Sequence, residues 1–227
     1  FLDSAHIDQI TEIATWGILD GVTTNPSHVA ATGANPRDLY PEICSLVDGP
    51  VSLEAVSMDA EGLVKEAREL AAISDNVIVK IPLIKEGLIA TKQLTAEGIK
   101  TNLTANYSAP QALLAAKAGA TYVSPFVGRL DNAGVDGMVL VEEIRKIFDN
   151  FNYPTEIIVA AVRNPMHVIR AALCGADICT MNYEVLGMLL EHPLTDATLE
   201  KFAKDWENGP KKLLEAQKIA QPVGTPG

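Results

Sequence analysis

Lysine, carboxylate, arginine and amide side chains recur in this chain at the ends of short apolar runs, a pattern suited to proton transfer around a carbonyl group. The run Asn76–Leu83 is bounded by Asp75-Asn76 and Pro82 and carries one lysine, Lys80. Its length and apolar content fit a strand buried on both faces. A charged ammonium is costly in dry surroundings, and burial favours the neutral amine. A neutral amine attacks a carbonyl carbon to form a Schiff base. The plainer reading packs the Lys80 stem against apolar neighbours and lets its head reach water.

Other runs end in similar chemistry. In chain order the ends supply Asp3, then Thr23-Thr24-Asn25, Glu54, Lys80, Asn102 with Thr104, Ser124 with Arg129 just beyond, Arg163, and Thr180-Met181-Asn182. Each has a plain explanation when taken alone. Asp3 and Glu54 read as solvated carboxylates or helix caps, Asn25-Pro26-Ser27 as a turn and helix start, and Arg129 as the surface partner of Asp131. Convergence on one rim would make a lysine and two carboxylates shift one another's proton affinity. His6, His28, His167 and His192 fall in expected helices or loops and are read as structural; no set of residues has metal-ligand spacing.

Convergence requires a frame, and the alternation of elements supplies one. Eight candidate strands, at 1–3, 21–24, 51–55, 77–81, 101–105, 122–125, 157–161 and 178–181, alternate with amphipathic stretches. Those stretches cover 7–16, 36–46, 60–73, 86–97, 110–118, 138–148, 165–173 and 183–190, and a further helix covers 196–206. Ser108-Ala109-Pro110 and Asn164-Pro165 are expected helix starts, and Gly98, Gly119 and Gly175 expected helix ends. The fold class that follows is α/β, a (β/α)8 TIM barrel with an additional C-terminal helix, in which these strand ends open on one face. An open doubly wound sheet is the rival, but no glycine-rich dinucleotide loop follows the first strand. One domain is expected over 1–207, with an arm or tail at 208–227 comprising an amphipathic piece at 211–220 and a Pro/Gly coil.

Bulk properties narrow the partners. With 227 residues, 48% hydrophobic and 21% charged, the chain fits a globular protein. A formal charge of -11 leaves no basic surplus for nucleic acid, although two or three placed cations suffice for a small phosphate ester. Cys44, Cys174 and Cys179 are expected as free thiols in a reducing compartment. No signal peptide or membrane-spanning run is visible, so a cytoplasmic location is expected, and the opening Phe1-Leu2-Asp3 suggests that an initiator methionine and a residue or two precede it.

Five blocks then resemble one family. Phe1–Ala5, Gly21–Ser27, Val79–Pro82, Gly98–Thr104 and Ala120–Asp131 are similar, in order and spacing, to the small transaldolase and fructose-6-phosphate aldolase family, and the likeness runs to about residue 207. The resemblance implies a (β/α)8 barrel and Schiff-base chemistry with no metal or other cofactor. Lys80 would form the imine with C2 of a ketose phosphate, and Asp3 would take the C4 hydroxyl proton as the C3–C4 bond breaks. Glu54 and Thr104 match a pair that holds a catalytic water; Asn25, Asn102 and Ser124 match groups on the dihydroxyacetone unit, beside Thr23. Arg129 and Arg163 match a phosphate clamp, to which the guanidinium fork is suited.

Within the family, the aldolase subtype carries glutamine and tyrosine where this chain has Glu54 and Phe126, so the resemblance favours transfer of dihydroxyacetone between sugar phosphates, a reaction of the pentose phosphate pathway. An aldolase releasing free dihydroxyacetone, and a retired barrel with a binding or assembly role, are the alternatives. Two positions depart from the family: Ala161 stands where a serine hydroxyl is usual, and Asn106 interrupts a usually apolar run. Losing that hydroxyl would weaken an anion site by about 1–3 kcal/mol. The resemblance further implies a homo-oligomeric ring, often a decamer in the family, with Phe202 and Trp206 as an apolar stripe on the last long helix.

Overall fold

The computed structural model describes residues 1–219. Its strands are β1 (Leu2–Asp3), β2 (Val22–Thr23), β3 (Val51–Glu54), β4 (Val77–Pro82), β5 (Thr101–Asn106), β6 (Tyr122–Pro125), β7 (Glu156–Val159) and β8 (Ile178–Cys179). They lie side by side in chain order, and every pair is parallel. Leu2 bridges Met181, and the Asp3 amide donates to the Met181 carbonyl at 2.7 Å, so the last strand returns to the first. The protein is a (β/α)8 barrel.

Alternation along the strands separates two apolar layers. Leu53, Val79, Ile81, Leu103, Val123, Ile157 and Val159 join the main core under the surrounding helices. Residues of opposite parity face the barrel axis. Ile78, Tyr122 and Ile158, with Ile178, form a separate small cluster that floors the interior. Two residues further along each of those strands stand Lys80, Ser124, Ala160 and Thr180, and all four line one pocket. The apolar floor thus ends one pleat below a polar mouth.

Around the sheet run α1 (Ile7–Thr15), α2 (Pro26–Thr32), α3 (Pro36–Leu46), α4 (Ala60–Ala71), α5 (Lys85–Ala96), α6 (Ala109–Ala118), α7 (Val127–Asn132), α8 (Gly137–Phe151), α9 (Pro165–Leu173) and α10 (Tyr183–Met188). The sequence marked only a start for α2 and nothing for α7. Asn25 caps α2 by accepting from the His28 amide at 3.0 Å, and Gly33 closes it in the left-handed region. No side chain caps α7; its first amides, on Val127 and Gly128, donate to the carbonyls of Ala160 and Ala161 at 3.1 and 3.2 Å. A six-residue helix whose N-terminus is satisfied by a distant strand leaves no local signature.

Several expected boundaries shift for identifiable reasons. The seventh strand stops at Val159 rather than residue 161, because Ala161 adopts φ +56° and turns the chain out of the sheet. The fifth continues to Asn106 through a register shift around Ala105, whose φ is +60°. Ser108 occupies the N-cap position of α6 without the expected cap, its hydroxyl meeting Gln111 at 3.3 Å instead. Asn164 does cap α9, accepting from the His167 amide at 3.1 Å.

The chain from Leu189 onward forms a second compact unit of α11 (Pro193–Asn208) and α12 (Pro210–Ile219). His192 caps α11 through a bond to the Leu194 amide at 3.2 Å, which starts the helix three residues before the expected Asp196. No residue of α11 is buried, and Leu199, Phe202 and Trp206 are exposed. The expected coil after Ala220 lies outside the described residues. Among the described residues no helix is long and apolar enough to cross a membrane.

Candidate active site

Lys80 sits near the end of β4, only 4% exposed, with its stem in the barrel. Its amino group is not alone. Nζ donates to the Thr24 carbonyl at 3.0 Å and lies 3.4 Å from Glu54 Oε2. Register explains the pairing: Glu54 and Lys80 are direct cross-strand partners on β3 and β4. The Phe126 ring closes another side, its centroid 6.0 Å from Nζ, and Tyr107 packs edge-on against that ring at 5.8 Å.

Asp3 enters from β1. Its Oδ1 accepts from the Thr23 hydroxyl at 2.7 Å, and Thr23 Oγ1 lies 2.7 Å from Thr180 Oγ1. Thr23 has one proton and gives it to the carboxylate, so Thr180 must donate to Thr23. Residues of β1 and β2 and the residue just after β8 thereby fix one carboxylate.

Asp3, Thr23, Asn25, Lys80, Ser124, Phe126, Arg129 and Arg163 all line the same pocket. Three other sequence-marked residues stand behind it. Asn102, fully buried, accepts from the Ser124 hydroxyl at 2.7 Å and donates to Ser52 at 3.3 Å, so it acts on the mouth through Ser124. Glu54 reaches the pocket through Lys80, while its outer side lines a separate hollow with Tyr40 between α2, α3 and β3. Burial and the Glu54 charge push the Tyr40 phenol above its ordinary pKa, which keeps it a proton donor. Thr104 is 2% exposed, and among the described residues its hydroxyl meets no protein partner. Asn106 is half-satisfied, accepting from the Ser108 amide at 3.1 Å while its Nδ2 has none.

The two arginines arrive from opposite sides of the β6–β7 boundary, Arg129 on α7 and Arg163 in the loop before α9. Among the described residues neither has a carboxylate partner; Asp131, the expected partner of Arg129, is taken instead by His167 at 2.7 Å. Two exposed guanidinium groups without counter-charges make this end of the pocket receptive to an anion.

His28 lines the pocket, contrary to its structural reading. Its Nδ1 accepts from the Asn25 amide nitrogen at 3.1 Å, because Asn25 Oδ1 is committed to the cap. Asp3 Oδ1 is 3.7 Å from that same nitrogen, but two acceptors do not make an ion pair. The signal was available: His28 lies in the first turn of a helix that begins at a strand end. Thr180 and Asn182 also line the pocket, as their place after the eighth strand suggested. Cys179, by contrast, does not line this pocket, and burial pushes its thiol up to about 11.

Fold and mouth together define the class: a (β/α)8 barrel with its polar side chains gathered at the C-terminal strand ends, where such barrels carry their sites. The family model for transaldolase/fructose-6-phosphate aldolase matches residues 1–222, and the chain belongs to that family. Curated proteins named "Probable transaldolase" from Aquifex aeolicus and from a Hydrogenobaculum species are each 58% identical over 212 residues, spanning 93% of this chain and 98% of theirs. One of the same name from Dictyoglomus turgidum is 56% identical over 211 residues, 93% of this chain and 99% of its own. Among solved structures, a mandelate oxidase variant bearing a monooxide FMN adduct superposes with a TM-score of 0.54 at 11% identity. That match covers 78% of this chain and 59% of the oxidase, and it is a likeness of fold alone.

Proposed function

We propose that the protein is a transaldolase, moving a dihydroxyacetone unit from fructose 6-phosphate or sedoheptulose 7-phosphate to erythrose 4-phosphate or glyceraldehyde 3-phosphate. The observation that carries the reading is the Lys80–Glu54 pair, 3.4 Å apart, at a mouth that also holds Asp3 and two uncompensated arginines. Lys80 must lose a proton before it can attack the donor's C2 carbonyl, and Glu54 is the adjacent carboxylate able to receive it. Dehydration of the resulting carbinolamine and later hydrolysis of the imine both need a managed water. The orphan hydroxyl of Thr104 suits that task, since a buried hydroxyl wants a partner and no protein atom supplies one.

With the imine in place, Asp3 takes the C4 hydroxyl proton while the C3–C4 electron pair moves toward the iminium nitrogen. The aldose phosphate leaves, and the dihydroxyacetone unit stays on Lys80 as an enamine. Addition to an acceptor aldehyde reverses the step, with Asp3 returning the proton to the new hydroxyl. Thr23 holds that carboxylate in place, Ser124 and Asn25 offer polar contacts to the three-carbon unit, and Arg129 and Arg163 take the phosphate. Phe126 puts an apolar ring rather than a hydroxyl beside the lysine, which favours survival of the enamine until an acceptor arrives.

The reading extends to a homo-oligomer assembled through the apolar stripe of α11, and, on the three free cysteines, to a cytoplasmic location. Glyceraldehyde 3-phosphate released from fructose 6-phosphate, with and without erythrose 4-phosphate, tests the activity. Release only with the acceptor is expected. Equal release without it would make the protein an aldolase, and borohydride trapping that spares Lys80 would remove the Schiff base altogether.

A further inference from the structure

Two arginines that serve one phosphate must keep a fixed separation, yet theirs come from different elements. Arg129 rides on α7, and Arg163 on the loop between β7 and α9. Carbonyls of that loop, on Ala160 and Ala161, satisfy the first amides of α7. A side chain at Gly128 would overlap the Ala161 carbonyl and the Arg163 stem, so the two segments are already in close contact.

A second link joins them further out. His167, 7% exposed in the first turn of α9, accepts from the backbone N–H of Arg163 at Nδ1, 3.2 Å away. Its Nε2 lies 2.7 Å from Asp131 Oδ2, on α7 two residues beyond Arg129. Accepting at one ring nitrogen and donating at the other defines the neutral Nε2–H tautomer. The other Asp131 oxygen accepts from the Gly137 amide at 2.9 Å, which anchors the far end to α8. Asp136 and Arg170, the other charged groups nearby, pair with each other at 2.8 and 2.9 Å and leave the imidazole to Asp131.

We propose that Asp131 and His167 form a strut that sets Arg163 against Arg129, making His167 a positioning residue for phosphorylated substrates. The proposal rests on the reading that these arginines hold the phosphate. What distinguishes the strut from ordinary packing is its end point, the amide of the clamp arginine itself. Ala161 adds a reason for one: the loop leaves the sheet through a left-handed alanine, a conformation that needs support from its surroundings.

The test compares fructose 6-phosphate with unphosphorylated fructose as donor, at fixed acceptor. His167→Leu removes both bonds, His167→Asn keeps an acceptor oxygen where Nδ1 stood, and Asp131→Ala leaves the imidazole but removes its anchor. With His167→Leu and Asp131→Ala, KM for fructose 6-phosphate should rise about tenfold, while kcat/KM for fructose stays within about twofold. His167→Asn keeps the bond to the Arg163 amide but not the one to Asp131, so its KM for fructose 6-phosphate should rise as in Asp131→Ala. Equal losses for both donors, or a His167→Asn variant with the parental KM, would overturn the strut and leave a structural contact. Arg163→Ala separates the two levels. If it raises KM for fructose 6-phosphate and His167→Leu and Asp131→Ala do not, the strut is wrong; if it has no effect, the phosphate reading falls and the strut with it.

Discussion

A single buried hydroxyl gives the sharpest test at the residue scale. Thr104 Oγ1 has no protein partner, so replacing Thr104 with the isosteric valine removes nothing that the fold uses. Thr104→Val should keep its melting temperature within a degree or two while kcat falls on the order of 10²-fold, if the hydroxyl holds the water of imine formation. Scanning calorimetry and steady-state rates on the same preparation decide it; a stable variant with normal kcat would take Thr104 out of the mechanism. Lys80, Asp3 and Glu54 stand at or near strand ends, as expected, because each is the polar end of an apolar run, a pattern set by the strand period. Sequence proximity assigned Asp131 to Arg129, whereas Asp131 pairs with His167 on α9, a contact that its own neighbourhood does not encode. The same gap explains Ala161. Its missing hydroxyl was plain in the chain, but its left-handed backbone was not, since alanine gives no sign of φ +56°.

Loops are the weak link between strands and chemistry at the element scale, and the one after Glu54 is braced. Glu66, on α4, accepts from the amides of Val56 and Ser57 at 2.7 and 3.1 Å and from the Ser57 hydroxyl. Burial alone would push this carboxyl up, but the three donors outweigh it and hold Glu66 below its ordinary value of 4.5. A depressed folded-state pKa means that the brace contributes fully above 4.5 and is lost as pH falls through the folded value. Glu66→Gln should therefore be less stable than the parent by about 1 kcal/mol at neutral pH, with the difference shrinking below pH 4.5 and closing in stronger acid. Urea titrations at pH 7 and at progressively lower pH check this; a gap independent of pH would mean that the charge is irrelevant. Longer helices such as α3 and α9 were visible at their full bounds because an Asn-Pro start and an amphipathic face both declare them. The short α7 was not, since its stabilising bonds come from β7.

Assembly is the issue for the molecule as a whole. The net charge of -11 keeps separate chains apart, so any association has to come from a concentrated apolar surface. Leu199, Phe202 and Trp206 supply one on α11, at 60%, 61% and 51% exposure. Phe202→Asp with Trp206→Glu should shift the protein from oligomer to monomer by light scattering while leaving far-UV helicity nearly unchanged. A parent that is already monomeric, or a double variant that stays assembled, would move the interface elsewhere. The barrel itself was legible from eight recurrences of one motif, a signal that accumulates along the chain. An oligomer leaves no such repetition, only an exposed stripe.

Closure of the sheet has a consequence for how activity comes into being. Lys80 and Glu54 meet across adjacent strands, whereas Asp3 is secured through Thr23 to Thr180, a contact spanning 157 residues, and through its own amide to Met181. A ribosome delivers the chain from its N-terminus, so the strands that bear Glu54 and Lys80 are synthesised well before Thr180 and Met181, the residues that secure Asp3. A chain that stops short of the last strand would carry the lysine and its neighbouring carboxylate but lack the contacts that hold Asp3.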